Sequence, residues 1–150
     1  MHVLVIGAAG MVGRKLVERI AAEEDALGGE LNRLTLVDII EPPVPAGLAA
    51  VAACEALDLS NPGSAEKLAA ARPDIIFHLA AIVSGEAEAD FEKGYRVNLD
   101  GTRALFEAIR LEGQKEPYRP RVVFASSIAV FGAPFPDRIG DEFFTTPLTS

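Results

Sequence analysis

This sequence predicts an α/β fold, a parallel sheet with helices on both faces, on three observations. Apolar runs of strand length alternate with amphipathic stretches of helix length through the first 127 residues. The runs are near-continuous in Val, Ile and Leu, the pattern of strands buried on both sides. A glycine-spaced turn, GAAGMVG at 7–13, joins the first run to the first helical pattern.

The elements follow in order. HVLVIG (2–7) is a β-branched first strand ending at glycine. The first helix, over 11–25, puts Val12, Leu16, Val17 and Ile20 on one face, and Gly28-Gly29 ends it. LNRLTLVDI (31–39) is the second strand, and the proline-rich EPPVPAG (41–47) is a loop. A third, weaker strand lies within 48–59, its ends blurred by alanines. Asn61 and Pro62 have the residue types of a helix cap and a first helical position. That helix runs to about Ala71, where Arg72-Pro73 stops it. DIIFHLAA (74–81) is the fourth strand. Asp90 caps a long helix over 91–113 with Tyr95, Leu99, Ala104, Leu105, Ala108 and Ile109 as its apolar positions. Gly94 and Gly101 weaken that pattern. RVVFASS (121–127) is the fifth strand, centred on Val122-Val123-Phe124, and the rest is loop. Right-handed crossovers between such strands give a doubly wound, Rossmann-type sheet of order 3-2-1-4-5. Its ligand crevice lies outside the carboxyl ends of the strands, so the loops after residues 7, 38, 59, 81 and 127 surround one site.

Composition narrows the partners. The 150 residues carry a net charge of -8, which argues against nucleic acid and anionic membranes. A single cysteine, Cys54, excludes an internal disulfide and fits a reducing cytoplasm. Cys54, His2 and His78 make no metal-binding pattern. No apolar stretch is long enough to span a membrane, and MHVLVIGAAG lacks the basic start of a signal peptide.

Chemistry concentrates at the strand ends. Gly7 allows the tight turn, Gly10 lets a pyrophosphate approach the backbone, and Gly13 lets the helix pack close to the strand. The free N–H groups of the helix start favour phosphate. Asp38, ending the second strand, can accept both ribose hydroxyls of an adenosine and would repel a 2′-phosphate, which favours NAD over NADP. Asp58 fits either an adenine amino contact or a turn. His78 reads as a core histidine bonded by its neighbours rather than a catalytic one. Asn98, in mid-helix, points to a structural or cofactor-linked hydrogen bond. Ser126 and Ser127 end a core strand, where their hydroxyls need partners.

Together GAAGMVG, Asp38, LDL (57–59), HLAA (78–81), YRVNLDGT (95–102) and FASSIAVFG (124–132) resemble the extended short-chain dehydrogenase/reductase family, the NAD-dependent sugar epimerases and dehydratases. The resemblance implies that Met11 and Val12 lie under the pyrophosphate and that Asp58 and Leu59 flank the adenine. It implies that Leu79, Ala80 and Ala81 line the cofactor, with Asn98 holding their loop. Ser127 matches the family's catalytic serine and Ser126 lies beside the nicotinamide. Ser84 and Gly85 are placed to touch substrate. Within the family, AAIVSGEAEADFEKGYRVNLDGTRAL and SSIAVFGAPFPDRIGDEFFTTPLTS are most similar to members that oxidise the 2-hydroxyl of a four-carbon sugar acid. Two alternatives stay open: a nucleotide-sugar epimerase or dehydratase, and an NAD-binding sensor or scaffold without chemistry.

One departure bears on activity. The family's base is a tyrosine followed four residues later by a lysine, and neither Tyr95 nor Tyr118 begins such a pattern. The expectation is an incomplete dinucleotide-binding domain over 1–150, cut before a sixth strand, with the C-terminal substrate domain absent. An exposed apolar edge then marks where the missing part packs. The resemblance implies a homodimer for the full-length protein, built from the long helix around 91–113 and a helix beyond Ser150, so that residues 1–150 alone dimerise poorly.

Overall fold

A computed structural model describes residues 1–23 and 26–147. Five parallel strands form one sheet in the order β3-β2-β1-β4-β5, as the sequence predicts. They are β1 (His2–Ile6), β2 (Arg33–Asp38), β3 (Ala52–Ala56), β4 (Ile75–His78) and β5 (Arg121–Phe124). The helices are α1 (Met11–Ala22), α2 (Ser64–Ala70), α3 (Ser84–Ala89), α4 (Phe91–Tyr95) and α5 (Thr102–Lys115). A π-helical segment, Arg96–Gly101, joins α4 to α5.

Side-chain alternation along β1 builds two cores. Leu4 and Ile6 face one side with Val37, Ile76, Leu68 of α2 and Leu105 of α5. Val3 and Val5 face the other with Leu34, Leu36, and Val17 and Ile20 of α1. Each such fully buried aliphatic side chain contributes about 1.5–3 kcal/mol of transfer free energy. That double burial explains why these strands carry no polar alternation.

Several boundaries differ from the sequence reading. α1 ends at Ala22, and Glu24 and Asp25 of the expected helix lie outside the described residues. Val12 is exposed rather than on the core face, because Gly13, Val17 and Ile20 already fill the stripe. α2 starts at Ser64, after Gly63 in a left-handed conformation (φ 84°); Asn61 and Pro62 form the turn before it. Helix α3 was not legible, since SGEAEA has no apolar stripe. Asp90 does cap α4, its carboxylate accepting from Lys93 N–H at 3.0 Å. The long helix is interrupted by the π segment, and Gly94 and Gly101 serve packing: a Cβ on Gly94 would meet that of Ala87 at 3.0 Å. Tyr95 and Leu99 are exposed, lining with Phe91 and Asn98 a surface cleft of about 260 Å³. β5 ends at Phe124 and is an edge strand, so Val123 and Phe124 are exposed rather than core. Together they give the β5 side of the sheet an exposed apolar surface.

The amino ends of the strands are closed by one cluster. Arg72, in a left-handed conformation (φ 50°), bonds Glu112 Oε1 at 3.1 Å and the Pro117 carbonyl at 2.7 Å. Its guanidinium lies 4.7 Å from the centre of the Tyr118 ring, whose hydroxyl donates to the Pro73 carbonyl at 3.0 Å. The α2–β4 turn is thereby tied to the α5–β5 loop. Burial pushes the Tyr118 phenol up to about 12. The folded value exceeds the unfolded value of about 10. The contribution to stability is therefore whole below about pH 10 and is lost as the pH rises through the folded value. An ultraviolet titration should show a phenolate near pH 12 that is absent from Tyr118→Phe. The same variant should lower stability by about 1 kcal/mol in chemical denaturation at neutral pH.

Candidate cofactor site

The parallel register sets the carboxyl ends of the strands side by side: Ile6 opposite Val37 and His78, Asp38 opposite Ala56, His78 opposite Phe124. The ladder continues into the loops, with Gly7 N–H bonding the Val37 carbonyl at 2.8 Å, Leu79 N–H that of Ile6 at 2.8 Å and Ala125 N–H that of His78 at 3.0 Å. These bonds gather the loops that follow the strands onto one side of the sheet.

The glycine loop is built by contact between backbones. Gly7 has φ 91°, and a Cβ there would lie 2.6 Å from Ala80 N and 2.8 Å from the Leu79 carbonyl carbon. A Cβ on Gly13 would strike the Gly7 carbonyl oxygen and sit 2.7 Å from Ala8 Cα. Gly10 is exposed, and its missing Cβ would meet only the Gly7 oxygen at 3.3 Å, so the surface above it is open. No side chain caps α1 and no acid stands in its first turn. Its first N–H groups and its partial positive charge therefore face this opening without a side-chain acceptor among the described residues. Met11 and Val12 stand 70% and 56% exposed at its rim. An approaching pyrophosphate fits such a cradle.

Asp38 reaches across from β2. Its Oδ2 accepts from Ala9 N–H at 2.9 Å and its Oδ1 from Ile39 N–H at 2.7 Å. The carboxylate is thus held against the glycine loop while its remaining lone pairs are available for hydroxyl donors. The Ala9 amide was not picked out from the sequence; only its place between Gly7 and Gly10 hints at it. Asp58 adopts the turn role: its Oδ1 accepts from Ser60 N–H at 2.8 Å and Ser60 Oγ at 2.7 Å. Leu59 is buried in the core with Leu105, so only its backbone is free to flank a ligand.

Leu79, Ala80 and Ala81 follow β4 beside Gly7. Asn98 clamps the end of this loop, accepting from Ile82 N–H at 3.0 Å and donating to the Ile82 carbonyl at 3.1 Å. His78 is 1% exposed and its ring lies edge-on to Phe124. Thr102 donates its hydroxyl proton to the Asn98 carbonyl at 3.0 Å, so its oxygen accepts from His78 Nε2 at 2.8 Å. This chain assigns the ring proton to Nε2 and leaves the buried Nδ1 without a partner among the described residues. Burial lowers the His78 pKa, and the neutral ring fits the structural role read from the sequence. Thr102 lies within the YRVNLDGT motif, and its bond to His78, twenty-four residues away, has no local signal in the sequence.

Ser126 and Ser127 follow β5 and are exposed. Ser127 Oγ accepts from Ala129 N–H at 3.1 Å, capping a short 3-10 turn over Ile128–Val130. Gly85, in the first turn of α3, is exposed. Ser84 begins that helix, and its side chain lies outside the described residues. Tyr118, bonded to Pro73 before β4, belongs to the opposite end of the sheet. Among the described residues no helix is long and apolar enough to cross a membrane.

Comparison with known proteins agrees with this arrangement. The pattern of the NAD dependent epimerase/dehydratase family matches residues 3–150. D-erythronate dehydrogenase of Cupriavidus necator is 40% identical over 156 residues, covering 100% of this chain and 46% of its own length. The enzyme of the same name from Haemophilus influenzae is 34% identical, covering 98% and 44%. A crystal structure from Agrobacterium tumefaciens, described as a nucleoside-diphosphate-sugar epimerase, superposes with a TM-score of 0.92 at 61% identity, over 99% of this chain and 44% of that one. The chain thus spans just under half the length of these relatives. A glycine cradle at a helix start, an acidic residue ending β2 and a match over nearly every residue lead to one conclusion: the chain belongs to the NAD-dependent epimerase/dehydratase family.

Proposed function

We propose that this chain is the cofactor-binding half of a cytoplasmic, homodimeric dehydrogenase that oxidises the 2-hydroxyl of a four-carbon sugar acid such as D-erythronate. The observation that carries the cofactor half is the cradle in which Gly7 and Gly13 have no room for a Cβ while Asp38 is bonded to the loop between them. In this reading Gly7, Gly10, Met11, Val12 and Gly13 receive the pyrophosphate and Asp38 takes the adenosine ribose. Asp58 and Leu59 flank the adenine. Leu79, Ala80 and Ala81 line the nicotinamide side, Asn98 fixes their loop, and Ser126 adjoins the nicotinamide. Bound NAD supplies a hydride acceptor. Ser127 donates a hydrogen bond from its hydroxyl to the reacting oxygen of the substrate and holds it in place, keeping its own proton, and Ser84 and Gly85 border the substrate. The base that removes the substrate hydroxyl proton, a tyrosine paired with a lysine, lies in a part of the protein beyond residue 150, together with a C-terminal substrate domain. Tyr118 is unsuited to that role, being tied down at the amino ends of the strands.

The name shared by the two curated relatives supports the sugar-acid substrate. The epimerase description of the 61% identical structure favours a second reading, a nucleotide-sugar epimerase. A protein extended to the length of the relatives separates them when NADH absorbance is followed with erythronate, related sugar acids and nucleotide sugars. The expected result is net NADH with the sugar acids only. Interconversion of nucleotide sugars without sugar-acid oxidation would overturn the substrate. The 150-residue chain alone is expected to bind NAD without turnover.

Asp38 gives a separate test of the cofactor. Asp38→Asn removes the charge that disfavours a 2′-phosphate and weakens acceptance of the ribose hydroxyls. By calorimetry the variant should bind NAD about tenfold more weakly and discriminate less against NADP. Equal NAD affinity in the two proteins would remove Asp38 from the site.

A further inference from the structure

We propose that His78 and Thr102 are positioning residues for the cofactor loop, acting through the π segment to hold Asn98 against Ile82. The proposal deepens the NAD-binding reading and rests on it. In a regular α-helix the backbone N–H of Thr102 would bond the Asn98 carbonyl. Here it bonds the Leu99 carbonyl instead, and the Thr102 hydroxyl donates to Asn98 O at 3.0 Å. That hydroxyl is itself held by His78 Nε2 at 2.8 Å, from the last residue of β4. A relay therefore runs from β4, through the threonine hydroxyl, to the backbone of the residue whose side chain clamps both polar groups of Ile82.

The composition of the relay argues that its hydrogen bond is what is being used. A phenylalanine would fill the space of His78 against Phe124 without burying an Nδ1 that has no partner among the described residues. The imidazole gains over it only the bond to Thr102. The loop that the relay sets has no slack on its other side: Leu79 and Ala80 lie against Gly7, within 2.6–3.0 Å of where a Cβ would stand. A shift of that loop therefore moves the backbone that cradles the pyrophosphate. A one-residue change of helical phase, as in the π segment, is a device for aiming one side chain off the regular helical face. The segment spans Asn98, whose side chain reaches Ile82.

The test uses Thr102→Val, which keeps the shape and loses the hydroxyl, Thr102→Ser, which keeps the hydroxyl, and His78→Phe. Amide exchange is read at Ile82 and at Val5 in the central strand, and NAD affinity by calorimetry. Thr102→Val and His78→Phe should speed exchange at Ile82 about fivefold or more and raise the NAD Kd about three- to tenfold, with Val5 unchanged. Thr102→Ser should return both readouts to wild type. Wild-type exchange at Ile82 in Thr102→Val, equal acceleration at Val5, or failure of Thr102→Ser to restore the signal would overturn the relay. Loosened Ile82 with unchanged NAD affinity would overturn its link to the cofactor. If the wild-type chain binds no NAD, the cofactor reading fails, while exchange at Ile82 still decides whether the relay exists.

Discussion

The start of α1 is pressed against the end of β1 so closely that only backbone fits between them, and the candidate site follows from that contact. Gly13 lies under the Gly7 carbonyl, and Gly7 lies against Leu79 and Ala80 of the next loop. Three chain segments meet with no side chain to separate them. The positive end of the helix is thereby brought to the edge of the sheet, where an anion can reach its free N–H groups. A methyl at either glycine would push the helix or the β4 loop outward and open the cradle.

The two ends of the sheet divide the work of folding from that of binding. At the amino ends Arg72, Glu112, Tyr118 and Pro73 satisfy one another and seal the α2–β4 and α5–β5 connections. At the carboxyl ends Asp38 is bonded to the glycine loop, Asn98 holds both polar groups of Ile82, and Ser127 is bonded within its own turn, its hydroxyl proton without a further partner among the described residues. Polar groups held as Asp38 and Ser127 are held are oriented without being used up, which is what preorganised ligand contacts require.

Much of this was legible in the sequence because it depends on short spacings. Gly7, Gly10 and Gly13 announce their turn within seven residues, and near-continuous apolar strands announce a parallel sheet. Asp38 was readable because a strand end is a fixed place in this topology. What escaped depends on distant parts of the chain. Phe124 is apolar in any window and reads as the centre of a core strand, although the predicted strand order already puts that strand at the edge, where Phe124 lies beside His78. The π segment hides in a helical pattern, and the bond from Ile82 to Asn98 within it spans sixteen residues. Gly94 and Gly101 look like helix weaknesses locally and become packing sites once Ala87 and Leu59 lie against them.

Ser127 shows how a local bond can select a role. Its oxygen accepts the Ala129 amide, which fixes the hydroxyl at the start of the turn after β5. An oxygen that already accepts in this way still has its own proton to give, and Ser127 makes no further bond among the described residues. In the proposed reaction the serine acts as a donor to a substrate oxygen, not as an acceptor or a nucleophile. A nucleophilic serine would need a base within hydrogen-bond reach. The two histidines do not supply one: His78 is buried and turned to Thr102, while His2 bonds Thr35 and the Ala71 carbonyl. In the proposed reaction these surroundings suit a serine that holds and polarises a substrate oxygen rather than one that attacks a substrate carbon.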